Sequence, residues 1–379
     1  MELIVKQRVA LSAYFYLSGL VFSSWAARIP TIKTTLEINE AELGSILLTM
    51  PISSFVGLPL SGWLVSKFDS RKPLLAAFIL HTIFLSMISL SGSVFWLVVS
   101  IFFFAFFMRI LNISMNTQSI TLQKLYGKKI NGSFHGLWSL GGISGVGITT
   151  LMVAYDISIG IHLIGISIFS LIFLVVFYPN LLTKDRAETG NKLTLGKPDP
   201  QILTLGIIIL FAAICEGGMF DWSGVYFKEV VQVELFTTGY LIFMTCMALS
   251  RFVSDWFIHR LGMRTMYVIS ATLITLGMLL AVAFPTFLWA MIGFSLVGVG
   301  TASIVPMTFI LAGNSNKYSP GMAISIIATY AIAGMLLGPA LIGYIAHAFH
   351  LRVSFIFLAL SGLLIIPVSS LYFKVSKNR

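Results

Sequence analysis

Long apolar windows recur throughout this chain and constrain its fold more than any other feature. Each window holds about twenty apolar residues, which as an α-helix is enough to cross a hydrocarbon layer of about 30 Å. Hydrophobic residues make up 57% of the chain and charged residues only 10%, whereas about a quarter of the residues in a soluble domain are charged. Because a soluble core cannot bury this much apolar surface, the pattern predicts an all-α integral membrane protein.

Twelve such windows follow one another, separated by polar segments such as "SKFDSRK", "KLYGKKI" and "HRLGMR". The first window has two basic residues ahead of an apolar run, as a cleaved signal peptide does. Removing it would leave eleven helices and destroy the repeat described below, so we interpret it as a membrane helix. The predicted helices lie near residues 7–29, 42–65, 73–91, 94–117, 132–155, 158–179, 201–226, 238–260, 264–283, 286–311, 320–346 and 351–373.

The basic residues predict the orientation. An even number of helices puts both termini on one side, and that side carries 18 of the 24 basic residues. The positive-inside rule therefore predicts that both termini lie in the cytoplasm. The net charge of +10 has the same origin and does not indicate nucleic acid binding. Cys215 and Cys246 lie in apolar segments, so no disulfide framework is implied.

The longest polar interruption, residues 180–200, divides the chain into predicted six-helix halves at 1–179 and 201–379, with a cytoplasmic linker between them. The halves resemble each other. "GLVFSSWAARIP" (19–30) matches "GGMFDWSGVYF" (217–227), and "GWLVSKFDSR" (62–71) matches "DWFIHRLGMR" (255–264). Such repeats are typical of secondary transporters, which bind their solute where the repeats meet.

Over essentially its full length the chain resembles the major facilitator superfamily. The motifs "SSWAARIP", "MNTQ", "FHGLWSLGG", "DWSGVYF" and "LGPALIG" are similar to those of the YbjJ-like group of bacterial inner-membrane transporters, distant relatives of the fucose:proton symporters. The resemblance implies two pseudo-symmetric six-helix bundles, a multi-pass protein of the bacterial inner membrane, alternating access and a monomeric state.

The chain departs from the family pattern at two places. The superfamily's loop motif G-x-x-x-D-R-x-G-R-R keeps Gly62 here, but Ser66 replaces the acidic residue and Asp69 replaces the second glycine. The fucose relatives carry an acidic residue in the first helix, where this chain has only Ser23 and Ser24. Any proton-coupling group must therefore lie elsewhere.

Two carboxylates in the seventh predicted helix are the proton-coupling candidates. Counted from Leu203, Glu216 lies roughly 20 Å into the membrane and Asp221 roughly 27 Å, near the outer boundary. A carboxylate at such depth is costly unless it faces a wet cavity or finds a partner, so we predict that Glu216 carries the proton. The alternatives are a hydrogen-bonded Glu216 that only packs the bundle and an Asp221 that is simply hydrated.

The fourth predicted helix carries a second polar cluster. Arg109, Asn112 and Asn116 share one helix face, which should point inward because a charged face in lipid is costly. Straight helices would offset Arg109 from Glu216 by about 13 Å, so we expect the two to bracket a solute or a water path. Arginine and asparagine together suit a hydroxylated solute. The alternative is that Arg109 binds neighbouring carbonyls.

Three aromatic residues and a histidine complete the predicted solute site. In the fifth helix, His135 can relay protons and Trp138 can stack on a sugar ring. Trp25 and Trp222 occupy matching places in the two halves and could close over the solute. The alternatives are a His135 that is merely hydrogen-bonded and tryptophans that anchor the membrane interface.

Four charged residues are predicted to control the cytoplasmic gate. Arg251 and Asp255 are spaced i, i+4 in the eighth helix, which permits an ion pair near its cytoplasmic end. Their position repeats that of Asp69 and Arg71 in the loop motif of the first half, so we assign all four to gating.

No nucleophile elbow, phosphate-binding glycine loop or metal-ligand cluster is present in the sequence, which predicts no enzyme, cofactor or metal. Without a nucleotide site, transport energy must come from a gradient. We therefore predict proton-coupled symport of a small, sugar-like solute across the lipid bilayer. The alternatives are a proton-coupled exporter of drugs or metabolites and a non-transporting membrane receptor or scaffold.

Overall fold

The computed structural model describes residues 2–127, 130–183, 185, 199–315, 317–318 and 320–377, and most of these residues are helical, with no strand among them. A short 3-10 helix covers Tyr178–Asn180. The α-helices are α1 (Glu2–Ala26), α2 (Ile29–Thr35), α3 (Glu40–Leu47), α4 (Thr49–Lys67), α5 (Arg71–Ser89), α6 (Val94–Tyr126), α7 (Asn131–Ala154), α8 (Ile159–Phe177), α9 (Pro200–Glu229), α10 (Thr237–Leu261), α11 (Met263–Ala283), α12 (Phe287–Gly313), α13 (Pro320–Ala348) and α14 (Leu351–Lys377).

Eleven segments of the described chain are long and apolar enough to span a membrane. The first combines α1 with α2 and the second combines α3 with α4. The remaining long helix, α10, is 25 residues long and carries Arg251, Asp255 and Arg260, which lower its hydropathy. Counting α10, the helices make the twelve spans that the apolar windows predict, and the all-α membrane fold is confirmed.

The second predicted helix, near 42–65, is in fact two helices that meet at Leu48. Pro51 explains the break, because its nitrogen cannot donate to the carbonyl of Leu47 and its ring crowds that carbonyl. A capping box begins α3: the amide of Glu42 donates to Asn39 Oδ1 at 2.9 Å, and the amide of Asn39 donates to Glu42 Oε2 at 2.8 Å.

The chain folds into two compact units. Unit 1 comprises the described residues of 1–37 and 49–191, and unit 2 those of 38–48 and 192–379. Helix α3 thus belongs to unit 2, where it packs against α13, although it precedes the predicted boundary at residue 179. The boundaries at 179 and 201 stay a prediction.

In unit 1, α1 packs closely along α7. A Cβ atom at Gly19 would lie 2.0 Å from the carbonyl oxygen of Trp138, and one at Gly141 would lie 1.9 Å from that of Tyr16. Only glycine permits this approach, which small residues allow between membrane helices.

In unit 2, α9 lies at the centre of the packing. It contacts α10, α12, α13 and α14, and most of its side chains are buried. Helix α13 approaches it most closely at Gly334, where a Cβ atom would lie 2.4 Å from the carbonyl oxygen of Leu210. Glu216 and Asp221, the predicted proton-coupling carboxylates, therefore lie on the most buried of the membrane-spanning segments found in the described chain.

Candidate functional site

The central feature of unit 2 is an ion pair between α9 and α10. Arg251 Nη2 donates to Glu216 Oε1 at 3.2 Å. Glu216 is only 7% exposed, whereas the side chain of Arg251 is 32% exposed. The pair therefore connects a buried carboxylate with an arginine whose side chain is partly exposed.

This pairing changes the interpretation of Arg251. The sequence predicts a pair with Asp255 near the cytoplasmic end of α10, but Arg251 lies about ten residues before that end, roughly 15 Å inside the helix. The structure places its guanidinium on Glu216, because this face of α10 packs against α9. The side chain of Asp255 lies outside the described residues, so its predicted pair with Arg251 and the gating role of both residues stay predictions.

Asp221 is placed differently from Glu216, although both are on α9. Five residues correspond to about 140° of rotation around the helix, so the two carboxyl groups point in different directions. Asp221 is half-buried, and no hydrogen-bond partner for it occurs among the described residues. The helix itself runs unbroken from Pro200 to Glu229, through Gly217 and Gly218.

In unit 1, the predicted polar face of α6 is present. Arg109, Asn112 and Asn116 are half-buried, and Asn116 Nδ2 donates to the carbonyl of Asn112 at 2.8 Å. Arg109 Nε is buried without a hydrogen-bond partner in the described part of the chain. No hydrogen bond of Arg109 Nε in the described residues therefore supports the alternative that Arg109 binds neighbouring carbonyls.

Helix α7 carries His135 and Trp138 along the side that faces α1. The exposed His135 ring stands edge-on to Phe15, with ring centres 5.4 Å apart. The half-buried Trp138 ring lies 6.0 Å from that of Phe22. Both side chains therefore meet aromatic residues of α1, and their contact with a solute stays a prediction.

The matching tryptophans are buried inside their own units. Trp222 is 0% exposed, and its Nε1 donates to the carbonyl of Pro339 at 3.1 Å. Trp25 is 1% exposed and lies 6.2 Å from the ring of Phe104. Because neither ring reaches the surface, burial favours a packing role over both expected roles, closure over the solute and anchoring at the interface.

At the loop between α4 and α5, the structure reveals a residue that the sequence did not indicate. Asp185 is 4% exposed and accepts hydrogen bonds from the backbone amide of Ser70 at 3.0 Å and from its hydroxyl. The sequence does not single it out, because it lies among several other charged and polar residues of the predicted linker. The predicted gating residue Asp69 is half-buried, and the guanidinium of Arg71 lies 4.2 Å from the ring centre of Tyr178.

The described helices and their intramembrane charges define a multi-pass membrane protein of the kind that moves solutes. The sequence model of the Major Facilitator Superfamily matches residues 10–316 and 242–379, so the chain belongs to this superfamily of membrane transporters. It is a transporter and not an enzyme.

Similar proteins support this assignment over nearly the whole chain. An uncharacterised MFS-type transporter from Yersinia pestis is 29% identical over 353 residues, which cover 93% of this chain and 92% of that protein. The membrane protein MosC from Rhizobium meliloti is 27% identical over 372 residues, covering 96% and 89%.

Two solved structures share the fold. The nucleoside transporter NupG has a TM-score of 0.76 at 16% identity, covering 99% of this chain and 100% of that one. A bacterial homologue of the human lysosomal transporter Spinster, in an inward-facing and occupied conformation, has a TM-score of 0.75 at 13% identity, covering 97% and 96%. At these identities the likeness concerns the fold alone.

Proposed function

We propose that this protein is a proton-coupled symporter that takes up a small, sugar-like solute across the bacterial inner membrane by alternating access, with both termini in the cytoplasm. The observation that carries the proposal is the ion pair between Glu216, in the membrane-spanning helix α9, and Arg251 of the neighbouring helix α10. Ionisable residues inside membrane helices are costly and commonly mark ion or substrate paths.

The ion pair can work as a proton-operated switch. When Glu216 is ionised, its charge is balanced by Arg251 at 3.2 Å. A proton on Glu216 would cancel that attraction, so that the 32% exposed side chain of Arg251 can turn towards water or solute. Loss of the proton on the other side of the membrane would re-form the pair. One proton per cycle would thereby bias unit 2 between two arrangements.

Arg109 is the proposed anchor for the solute. Its guanidinium is a planar fork with five donors, and its Nε has no partner within the described residues. Asn112 and Asn116 on the same face supply further amide groups. A buried donor without a partner is unfavourable, so oxygen atoms of a solute would bind there with little competition from the protein. Hydroxyl and carboxylate oxygens both satisfy this geometry.

The solute must be found before coupling can be measured. A thermal-shift screen of the purified protein against sugars, polyols, nucleosides and organic acids serves this purpose, because a ligand that binds only the folded protein raises its melting temperature. Nucleosides are included because NupG, which shares the fold, is a nucleoside transporter.

The decisive experiment compares Glu216→Gln with the unaltered protein in proteoliposomes. We expect accumulation driven by a pH gradient to disappear in Glu216→Gln, because the amide cannot exchange a proton, while solute counterflow persists. Asp221→Asn, on the same helix, tests the second proton-coupling candidate in the same assay. Undiminished accumulation by Glu216→Gln would refute the assignment of the proton to this residue.

The two alternatives give different results in the same vesicles. A proton-coupled exporter of drugs or metabolites would load solute only when the pH gradient is inverted relative to uptake. A receptor or scaffold would bind the solute in the thermal-shift screen and show no flux under either gradient.

A further inference from the structure

Unit 1 contains an apolar groove that the proposed transport cycle does not use. Its volume is about 370 Å³, and it is bounded by α4, α5 and α6. Leu60 and Leu64 form one wall, and Phe106 and Ile110 form the other. Helix α5 forms the bottom of the groove, and its exposed Ala76 side chain is small and leaves space there.

The polar end of the groove is marked by Lys72. This exposed lysine belongs to the lining, and no ion pair for it occurs among the described residues. The carboxylate of Asp185 accepts hydrogen bonds from Ser70, and the guanidinium of Arg71 is held over the Tyr178 ring. Lys72 therefore presents a positive charge that forms no ion pair in the described part of the chain.

Aromatic and basic residues beside the groove locate the membrane interface. Trp63 is 48% exposed, and the ammonium of Lys67 lies 4.6 Å from its ring centre. Tryptophan and lysine together are typical of the headgroup level. From Lys72 to Leu80 the groove extends roughly 12 Å along α5, which is close to the hydrocarbon depth of one leaflet.

We propose that this groove binds an anionic glycerophospholipid, with one acyl chain between α4 and α6 and the phosphate on Lys72. The apolar lining suits the chain, and the unpaired ammonium at the interface suits a headgroup with net negative charge. A zwitterionic headgroup would gain less from Lys72, because its own cationic group offsets the attraction. A basic residue at a membrane surface favours anionic lipid roughly fivefold.

Native mass spectrometry of the full chain in detergent tests the proposal, with phosphatidylglycerol and phosphatidylcholine of identical acyl chains as probes. We expect phosphatidylglycerol to bind roughly fivefold more tightly. Lys72→Gln should abolish this preference, and Ala76→Phe, which fills the groove, should weaken binding of both lipids. Lys124→Gln is the matched control, since Lys124 is another exposed lysine, in the last turn of α6.

Thermal unfolding and size-exclusion chromatography show whether each variant is folded, and Ala76→Leu replaces Ala76→Phe if the larger ring prevents folding. Equal affinity for the two lipids would overturn the anionic preference. An equal loss in Lys72→Gln and Lys124→Gln would assign the effect to general surface charge, and unchanged binding in the Ala76 variants would remove the acyl chain from the groove. None of these results depends on transport activity.

Discussion

The two units differ at two arginines and two tryptophans that lie inside long helices, one of each kind in each unit. In unit 2, Arg251 donates to Glu216, and the indole of Trp222 donates to the carbonyl of Pro339. In unit 1, Arg109 Nε and Trp25 Nε1 are buried without hydrogen-bond partners in the described part of the chain. Unit 2 thus satisfies these intramembrane donors internally, whereas unit 1 leaves two of them for another group to satisfy.

This difference suggests a division of labour. An internally paired charge responds to a proton, because protonation of Glu216 removes the negative charge that attracts Arg251. Under the proposed function an unpaired charge responds to a solute, because Arg109 Nε has no protein acceptor among the described residues. The comparison predicts that substitutions in unit 2 act mainly on stability and coupling, and those in unit 1 mainly on solute binding.

The largest effect is expected from Arg251→Leu. This substitution leaves Glu216 buried without its cationic partner, and breaking a buried pair typically costs 3–5 kcal/mol. We expect a loss of about 3 kcal/mol in the free energy of unfolding, at the lower end because the side chain of Arg251 is 32% exposed. Denaturant unfolding in detergent measures it.

The double variant Glu216→Leu/Arg251→Leu is the control for that measurement. Removing both charges should restore most of the lost stability, because no uncompensated carboxylate remains. A double variant as unstable as Arg251→Leu would show that the packing of the arginine side chain, and not its charge, holds α9 and α10 together.

Arg109→Leu should change solute affinity more than stability. The free energy of unfolding should stay within about 1 kcal/mol of the unaltered protein, because no protein hydrogen bond of Arg109 Nε is lost in the described residues. Solute affinity should fall at least about tenfold, the equivalent of about 1.4 kcal/mol. Isothermal titration with the identified solute measures the affinity.

Arg109→Lys separates charge from geometry. Lysine keeps the positive charge but loses the planar fork, so it should recover only part of the affinity if the solute is bound through two oxygen atoms. Full recovery would indicate that charge alone matters. If Arg109→Leu lost as much unfolding free energy as Arg251→Leu, the two units would not differ in how they use their arginines.

The helices were predictable because lipid offers no hydrogen-bond partners to the backbone, so that each apolar window must satisfy its own amides and carbonyls. Hydropathy does not reveal the break at Leu48, because apolar residues continue across it, and the local signal for the break is Pro51. The buried Asp185 was also missed, since a polar linker gives no signal that one of its residues folds back onto α5.

The sequence predicts which candidate residues share a helix face, but not which residues of different helices contact each other. Depth along α9 identifies Glu216, and periodicity along α6 groups Arg109 with Asn112 and Asn116. The partner of Glu216 depends on which face of α10 packs against α9, whereas spacing within α10 pointed to Asp255. Tertiary contacts of this kind lie beyond the reach of periodicity, which describes one helix and not its neighbour.

The smallest predicted effect compares the two repeat-related tryptophans. Trp222→Phe and Trp25→Phe remove the same volume from fully buried positions, so their packing losses should be similar. Trp222→Phe additionally loses a donor to Pro339 and leaves that carbonyl without it, which typically costs about 1 kcal/mol. Trp25→Phe removes a donor that has no partner in the described residues, and so removes a cost as well.

Trp222→Phe should therefore be the less stable variant by at least about 1 kcal/mol, measured by denaturant unfolding of both proteins in the same detergent. Equal losses would mean that Trp25 Nε1 gains a partner, such as water, that balances the bond of Trp222. That result would limit the contrast between the units to their arginines, since Arg251 is paired with Glu216 and Arg109 Nε has no partner in the described residues.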